Sequence, residues 1–265
     1  MERFGFHSSF LALTLGLFFM IYLQYSTSCK DSGLQLFNYS NGPNGPSHWG
    51  DLNETWRLCK VGMNQSPINI SSLEAINDDS LGRLRTNYSR NQPFLASLGP
   101  FNVALNFGPD AGGIMVNSTE YILNQYHTHI PSEHILNGTR FPLEIHLVHR
   151  TSDGSRIAVI SLPYTYGKRD HIFEQVLDMI SSLKEKGGTL GSSLNMTDLK
   201  ISGKAYYRYS GSLTTPPCTE GVVWTVLKEP RTISPEQLSR YQIAFTENNA
   251  RFTQELNGRP ILYHG

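Results

Sequence analysis

The stretch that decides the fold is QYHTHIPSEHILNGTRFPLEIHLVHR, residues 125–150. Its first part has the alternating character of an extended strand, in which residues i and i+2 lie on the same face. His127 and His129 therefore point the same way, together with Gln125. The spacing predicts a strand that presents two imidazoles side by side.

The second part of the stretch, LEIHLVHR at 143–150, predicts another strand. Glu144, His146 and Val148 share one face of it, and His149 lies on the opposite face. If the two strands are neighbours in one sheet, His146 can approach the two histidines of the first strand. The phase of the alternation therefore predicts that three histidines converge on one point.

Three converging imidazoles without a fourth protein ligand are typical of a catalytic zinc site, whose open position holds water. We therefore interpret His127, His129 and His146 as candidate Zn²⁺ ligands. Gln125 and Glu144 each lie two residues from a ligand, and we expect them to accept hydrogen bonds from the ligand rings. A His-x-His motif is short, and ordinary sheet histidines are the alternative reading at this point.

The remainder of the chain predicts a single β-rich domain. Gly, Pro, Asn and Asp clusters separate short alternating runs, which indicates many strands, and no break in composition divides the chain. The alternating runs are residues 101–107, 121–130, 143–150, 156–162 and 222–227.

Two segments predict helices. Residues 171–186 place their large apolar side chains on one helical face. Ser234 begins a capping box with Pro235 at the first helical position, so a short helix should run to about Phe245. Residues 187–200, which are rich in Gly and Ser, predict a loop.

The composition excludes some classes of protein. The 265 residues include 22 Lys plus Arg and 22 Asp plus Glu, so the formal net charge is zero. A balanced charge without runs of one sign argues against a nucleic-acid-binding protein. With 39% apolar and 17% charged residues the chain has an ordinary globular composition, not that of a disordered protein.

The N-terminal residues 1–28 are interpreted as a secretory signal peptide, with cleavage just before Cys29. Arg3 gives the positive start, and the apolar run at 10–23 follows it. A membrane anchor is the alternative, but the run is short for a bilayer span. We expect a mature domain of residues 29–265 that is not stably inserted in a membrane.

Two further features, the cysteines and the N-x-Ser/Thr motifs, can be interpreted if the protein is secreted. In an oxidising compartment Cys59 and Cys218 can close one long-range disulfide, which leaves Cys29 at the cleavage site. The chain also carries eight N-x-Ser/Thr motifs. Because Asn64 and Asn69 flank an apolar strand-like stretch, we expect glycan on several of the other six and not on these two. The eight motifs begin at Asn38, Asn53, Asn64, Asn69, Asn87, Asn117, Asn137 and Asn195.

Several motifs together resemble the α-class carbonic anhydrases, most closely their plant-type secretory members. Residues 125–150 resemble the zinc-binding stretch of that family, and the resemblance covers about residues 37–260 in consistent order. The other matching motifs are NGPSHWG at 44–50, NQSPINI at 64–70, YSGSLTTPPCTEGVVW at 209–224 and LNGRP at 256–260.

The resemblance implies a zinc lyase that interconverts carbon dioxide and bicarbonate, with zinc on the three histidines named above. It implies that Thr214 is the gatekeeper threonine and that Glu133 accepts its hydroxyl proton. Thr215 would adjoin the substrate, and Tyr39 would belong to the active-site water network. The residues that resemble the family's apolar carbon dioxide wall are Val148, Val159, Leu213 and Trp224.

The resemblance also carries structural expectations. The family fold is mainly β: a single domain with a central, mostly antiparallel, twisted sheet and short peripheral helices. Secreted members carry a bridge at the positions of Cys59 and Cys218. The peptide bonds before Pro67 and Pro217 are candidates for the cis form.

Partners and location follow from the same resemblance. The expected partner is a small-molecule substrate, carbon dioxide or bicarbonate, with no nucleic acid, and the protein would be a monomer or homodimer. The expected location is the secretory pathway and the extracellular space or apoplast. The alternative is the chloroplast, reached through the secretory pathway.

The sequence departs from the family pattern at four positions: Gly99, Thr128, Ile130 and Phe252. Gly99 stands where fast members have a proton-shuttling histidine, which predicts a slow, buffer-dependent proton transfer. Thr128 stands between two ligand histidines, where an aromatic residue is usual. Because some relatives are storage or nectar proteins, a storage or binding glycoprotein with weak or no turnover is the alternative function.

Overall fold

The computed structural model describes residues 37–265. The interpretations made for residues 1–28 and for Cys29 lie outside these residues. No helix between residues 37 and 265 has the length and apolar character needed to cross a membrane.

The described chain forms a large sheet and a small one, built from fifteen strands. The strands are β1 Asn69–Ile70, β2 Ile76–Asn77, β3 Gln92–Leu98, β4 Val103–Phe107, β5 Gly113–Val116, β6 Thr119–His129, β7 Ile135–Leu136, β8 Thr139–Arg140, β9 Leu143–Arg150, β10 Ile157–Tyr166, β11 Thr189–Leu194, β12 Tyr206–Ser212, β13 Glu220–Leu227, β14 Arg231–Ile233 and β15 Leu262–His264.

Helices in this part of the chain are few and mostly short. The α-helices are α1 Trp49–Leu52, α2 Leu58–Val61, α3 His171–Lys186 and α4 Pro235–Ala244. The 3₁₀ helices are η1 Glu54–Trp56, η2 Asp79–Leu81 and η3 Met196–Leu199.

The large sheet has the strand order β11-β3-β4-β6-β9-β10-β13-β12-β15-β2, with β5 beside β6 and β14 beside β10. Most neighbours are antiparallel, whereas the β10–β13, β10–β14 and β2–β15 pairs are parallel. Strands β1, β7 and β8 form the separate small sheet. The prediction of a mainly β domain with a mostly antiparallel central sheet and short helices is confirmed.

The two faces of the large sheet pack into different apolar clusters. Ile145 and Leu147 of β9 join the cluster that packs against α3 and α4. Val148 of the same strand joins the cluster around Trp224 on the other face. Because both faces are covered, β9 is buried along nearly its whole length, and a polar group on it needs a partner inside the protein.

Local sequence explains why α3 and α4 begin where they do. The side chain of Asp170 accepts a hydrogen bond from the Phe173 amide and caps the N-terminus of α3. The predicted apolar face of α3 is buried. Ser234 and Gln237 form the predicted capping box of α4, with Pro235 at its first position. Both helix predictions are confirmed.

The prediction of a loop over 187–200 is wrong for residues 189–194. These residues form β11, an edge strand that pairs with β3. Its side chains are mostly exposed, so the segment TLGSSL has no apolar alternation that would indicate a strand. Backbone pairing with β3 and the buried side chain of Leu194 hold the strand in the sheet.

Candidate metal centre

The pairing of β6 with β9 brings the three histidines together. The two strands are antiparallel, and His127 lies directly opposite His146. The ring centroid of His146 is 5.2 Å from that of His127 and 4.5 Å from that of His129. One ring nitrogen from each histidine lies within 4.8 Å of the others. The strand phase read from the sequence therefore gives the observed convergence.

Each histidine uses its other ring nitrogen in a hydrogen bond. Nδ1 of His127 donates to Oε1 of Gln125 at 3.0 Å, and Nε2 of His146 donates to Oε1 of Glu144 at 2.6 Å. Nδ1 of His129 donates to the backbone carbonyl of Asn249 at 2.7 Å. These bonds set the tautomers, so the lone pairs of the remaining nitrogens face one another.

Two of the remaining nitrogens, those of His129 and His146, also share a neighbour. Nε2 of His129 lies 3.6 Å and Nδ1 of His146 lies 3.9 Å from Oε2 of Glu133. Nε2 of His129 and Oε2 of Glu133 are buried and have no hydrogen-bond partner among the described residues. Buried polar atoms in proteins normally have a partner. A metal ion bound at this point would be the missing partner of the His129 nitrogen.

Burial keeps these histidines neutral. It lowers the pKa of His127 and His146, and it lowers that of His129 to about 4. The neighbouring rings of the cluster lower the pKa of His127 and His146 further. Neutral imidazole is the form that binds a metal ion, so at neutral pH no proton has to leave these rings first.

Glu144 is the centre of a buried hydrogen-bond network. Besides His146, its carboxylate accepts bonds from Nδ1 and the backbone amide of His134 and from the hydroxyl of Ser161. Burial alone would raise the pKa of Glu144, but His134 and His146 hold it well below its usual range. His134 continues the network through Nε2 to the hydroxyl of Tyr209 at 2.7 Å.

Two members of this site were not identified from the sequence. His134 stands in the Ser-Glu-His motif beside the ligands, so the motif itself could have indicated it. Asn249 gave no such signal, because it contacts His129 through a backbone carbonyl that every residue type carries. Its side chain also bonds the strand, since Oδ1 accepts from the Ile130 amide and Nδ2 donates to the Thr128 carbonyl.

Glu133 lies close to His129 and His146 and beside Thr214. Burial raises the pKa of the Glu133 carboxyl to about 7, while His146, the Arg251 amide and the Thr214 hydroxyl act to lower it. The Arg251 amide donates to Oε1 of Glu133 at 2.9 Å. The Arg251 guanidinium bonds Gln65 and the backbone of Ser66 and Cys59, which anchors this side of the site.

The predicted wall residues form one apolar surface beside His146. Val159 of β10 lies between Val148 of β9 and Trp224 of β13 in the sheet register. The ring centroid of Trp224 is 4.9 Å from that of His146. The half-buried Leu213 packs against the same cluster, and Thr215 is also half-buried.

The segment that carries Thr214 and Thr215 is tied down by the Cys59–Cys218 disulfide, which spans 159 residues of sequence. The Cys218 amide donates to the Thr215 carbonyl at 2.9 Å. The bonds before Pro67 and Pro217 are cis, as predicted, and so is Ile130–Pro131, which the sequence did not indicate.

Tyr39 lies in an aromatic group, close enough to Glu133 to feel its charge. Its ring centroid is 4.9 Å from that of Phe101 and 5.5 Å from that of Trp49. Burial and the nearby charge of Glu133 raise the pKa of Tyr39. Gly99 lies in the turn between β3 and β4, two residues from Phe101, whose carbonyl accepts a bond from Asn249.

Comparison with known proteins matches this arrangement to one family. A family model described as eukaryotic-type carbonic anhydrase matches residues 44–265. The chain belongs to that family. This confirms the resemblance on which the expectations for the site depend.

Two relatives of this family member are plant proteins. Dioscorin dioA3 of Dioscorea japonica is 40% identical over 242 residues, which cover 89% of this chain and 89% of that protein. Alpha carbonic anhydrase 7 of Arabidopsis thaliana is 39% identical over 233 residues, which cover 85% of this chain and 83% of that protein. The chain thus resembles both proteins named as carbonic anhydrases and proteins named as dioscorins.

A solved structure agrees with the fold. The crystal structure of dioscorin complexed with ascorbate matches with a TM-score of 0.81 and 39% identity. The match covers 86% of this chain and 97% of that one. The sheet and the histidine-bearing strands described above are therefore part of a known carbonic anhydrase family architecture.

Proposed function

We propose that this protein catalyses the zinc-dependent reversible hydration of carbon dioxide to bicarbonate and a proton. The observation that carries the proposal is the set of three histidines, each with one nitrogen donating to an oxygen acceptor and the other facing a common point. Family membership supports the same reaction.

The residues present fit a zinc ion. His127, His129 and His146 would hold it through Nε2, Nε2 and Nδ1, and the buried, unpartnered Nε2 of His129 is a ring nitrogen that lacks any other explanation. Three neutral nitrogen donors without a fourth protein ligand match a catalytic site. When bound, zinc supplies a Lewis acid that lowers the pKa of a water molecule to about 7.

Thr214 and Glu133 would orient the attacking oxygen. A carboxylate can only accept, so if Glu133 takes the hydroxyl proton of Thr214 in a hydrogen bond, the Thr214 oxygen is left as an acceptor. It can then accept the hydrogen of the nucleophile and direct a lone pair of that nucleophile towards the substrate. Burial of both residues holds this pair in one arrangement.

The apolar wall would bind carbon dioxide. Val148, Val159 and Trp224 are buried side chains next to His146, and Leu213 completes the surface. Carbon dioxide has no net dipole, so an apolar surface of this kind holds it close to the nucleophile without competing hydrogen bonds. Thr215, beside Thr214, would contact the substrate from the disulfide-anchored segment.

The test is carbon dioxide hydration by the purified protein, with zinc quantified, across pH and at two buffer concentrations. We expect about one zinc per chain and activity that rises with pH through about 7. Thr214→Ala should lower activity by about 100-fold or more and keep its zinc, while Thr219→Ala, an exposed threonine five residues away, should match wild type. Stoichiometric zinc without activity contradicts the proposal.

A second candidate is a storage or binding glycoprotein with weak or no turnover. Gly99 favours it, because glycine cannot carry protons at the position where fast family members have histidine. The solved dioscorin that is 39% identical to this chain is complexed with ascorbate, so a structural relative of this chain binds a small molecule of that kind. The inactive, zinc-loaded outcome of the experiment above would select this function.

We also propose that the protein works in an oxidising compartment on the secretory pathway. The Cys59–Cys218 disulfide supports this location, since such bonds persist where thiols are not kept reduced. Asn53 and Asn137 of the N-x-Ser/Thr motifs are exposed and accessible to glycosylation. Mass spectrometry of the mature protein would test both the N-terminus at Cys29 and the glycans.

A further inference from the structure

A cleft lined by basic side chains lies away from the metal centre. It has a volume of about 490 Å³, and its walls come from residues 168–171, 199–204 and 227–232. Clefts of this size hold small ligands in other proteins. Its cationic side chains are Lys168, Arg169, Lys200, Lys204 and Arg231.

The floor of the cleft is apolar and belongs to the core on the other side of the large sheet from the metal centre. Leu199, Ile201 and Leu227 line the cleft and are buried. They belong to the cluster that packs against α3 and α4, whereas Trp224, beside the histidines, belongs to the other cluster. The cleft and the metal centre therefore share no lining residue.

Positive charge exceeds negative charge in and around the cleft. Among the described residues, the five cationic side chains are accompanied by two lining carboxylates, those of Asp170 and Glu229. Arg83 and Arg85 line a neighbouring cavity, which the 199–204 segment also borders. Because the formal net charge of the chain is zero, this is a local concentration of positive charge.

Two of the five cations are engaged by other parts of the protein. The Arg231 guanidinium lies 2.6 Å from the Asp170 carboxylate and donates to the Leu199 carbonyl. Arg169 lies 3.3 Å from a carboxylate oxygen of Glu236. These two arginines hold the walls of the cleft in place and neutralise part of its charge.

Three lysines are left to bind a ligand. Lys168, Lys200 and Lys204 are exposed, and the lysine and arginine ion pairs between residues 37 and 265 involve other side chains. Charges of one sign in a cleft with apolar walls focus the electric field and concentrate ions of the opposite sign. Lysine ammonium groups bind phosphate and carboxylate groups as point charges.

We propose that this cleft binds a small organic anion with two or more carboxylate or phosphate groups, held by Lys168, Lys200 and Lys204. Three separate ammonium groups can contact several anionic groups of one molecule, and the apolar floor can contact its carbon skeleton. The site uses no residue of the metal centre, so it stands or falls separately from the proposed reaction.

Calorimetric titration of the purified protein tests the site. The probes are benzene-1,3,5-tricarboxylate and fructose 1,6-bisphosphate, which distinguish carboxylate from phosphate recognition. The salt concentration is about 0.15 M, at which exposed charges more than about 8 Å apart are largely screened. We expect one molecule of at least one probe per chain, with a Kd of about 1 mM or tighter. Binding of neither probe would overturn the proposal.

Matched variants show whether the cleft lysines bind the probe. Lys200→Gln/Lys204→Gln should weaken binding by about 5- to 30-fold, since each exposed charge pair contributes modestly. Lys60→Gln/Lys186→Gln removes the same charge from exposed lysines outside the cleft and should stay within about twofold of wild type. Equal weakening in the two double variants would show that the probe responds only to net charge, which contradicts the site.

A second measurement distinguishes the cleft from the metal centre. Zinc content and carbon dioxide hydration should be the same in Lys200→Gln/Lys204→Gln as in wild type, although probe binding is weakened. A probe that inhibits hydration over the same concentration range in which it binds would be occupying the metal centre, and the cleft proposal would be wrong. Because the titration does not depend on turnover, an inactive protein would leave this test intact.

Discussion

The backbone carbonyl of Asn249 accepts a 2.7 Å hydrogen bond from Nδ1 of His129, a residue 120 positions earlier in the chain. The side chain of the same asparagine bonds the Ile130 amide and the Thr128 carbonyl on either side of that histidine. One residue thus fixes both the ring orientation and the backbone of a proposed ligand.

Asn249→Ala should therefore weaken zinc binding. The substitution keeps the carbonyl that holds the His129 ring, but it removes the side-chain bonds that position the strand and the carbonyl together. We expect a loss of about 10- to 100-fold in zinc affinity, as is typical for outer partners of metal ligands. Competition with a chelator measures it. Asn248→Ala, at the exposed neighbouring position, is the control. Equal zinc affinities for the two variants would show that the Asn249 side chain does not position His129.

The contrast between His146 and Asn249 shows what the sequence could reveal. Period-two alternation predicted the faces of His127, His129 and His146 because side-chain phase in a strand is a local property. The contact of Asn249 depends on how the chain returns to the site more than a hundred residues later, and a backbone carbonyl leaves no trace in residue type. Motif resemblance indicated Glu133 and Thr214, whereas local pattern alone would not have joined them.

The secondary-structure predictions also succeeded where a local pattern exists and failed where it does not. Helix α3 was predictable to both ends because Asp170 caps it and its apolar face repeats every three to four residues. Strand β11 was missed because most of its side chains face solvent, so the segment shows no apolar alternation.

Gly99→His should speed proton transfer. The backbone at Gly99 is not in the positive-φ region, and an added Cβ would lie 3.4 Å from the Asn102 carbonyl oxygen, a contact the turn can accept. We expect turnover in dilute buffer to rise by about tenfold or more, since a positioned histidine replaces a buffer molecule as the proton carrier.

The measurement is initial rate against buffer concentration at constant ionic strength. Gly108→His introduces a histidine at an exposed glycine with open space around it and serves as the control. A Gly99→His enzyme with the same buffer dependence as wild type would mean that proton transfer does not limit turnover.

Removal of the disulfide should affect both stability and the site. The bridge closes a loop of 159 residues, and loss of such a bond from a secreted domain costs about 2–5 kcal/mol of unfolding free energy. Thr214 and Thr215 precede Cys218 closely, so their segment should become mobile and activity should fall.

Denaturant unfolding and carbon dioxide hydration, each with and without reductant, measure these effects. The Cys59→Ser/Cys218→Ser protein is the control, because reductant should change nothing further in it. Wild-type protein that keeps its full stability after verified reduction would contradict this prediction.

His149 should make the protein sensitive to mild acid. It is buried on the face opposite the metal centre, where the Tyr88 hydroxyl donates to its Nε2 at 2.8 Å. Burial lowers its pKa to about 4, whereas an unfolded histidine has a pKa near 6.5. The unfolded state therefore binds more protons between these values, and stability falls as pH drops from about 6.5 towards 4.

From this single group we expect a loss of about 2 kcal/mol between pH 7 and pH 5. Denaturant unfolding at both pH values should show that His149→Gln is less stable at pH 7 but loses correspondingly less at pH 5. His171→Gln removes an exposed histidine and should keep the wild-type slope. If His149→Gln loses as much stability between pH 7 and pH 5 as wild type does, a group other than His149 causes the acid sensitivity.

The position of β15 bears on how the protein is made. This strand lies between β12 and β2 in the sheet, so the last strand of the described chain is an inner strand. Strand β2 is synthesised early and must wait for β15, which at about 5–20 residues per second means on the order of ten seconds or more. Until β15 is synthesised, the edges of β12 and β2 that will pair with it stay unpaired. In that interval the nascent chain most needs protection, because an unpaired strand edge can pair with a second chain.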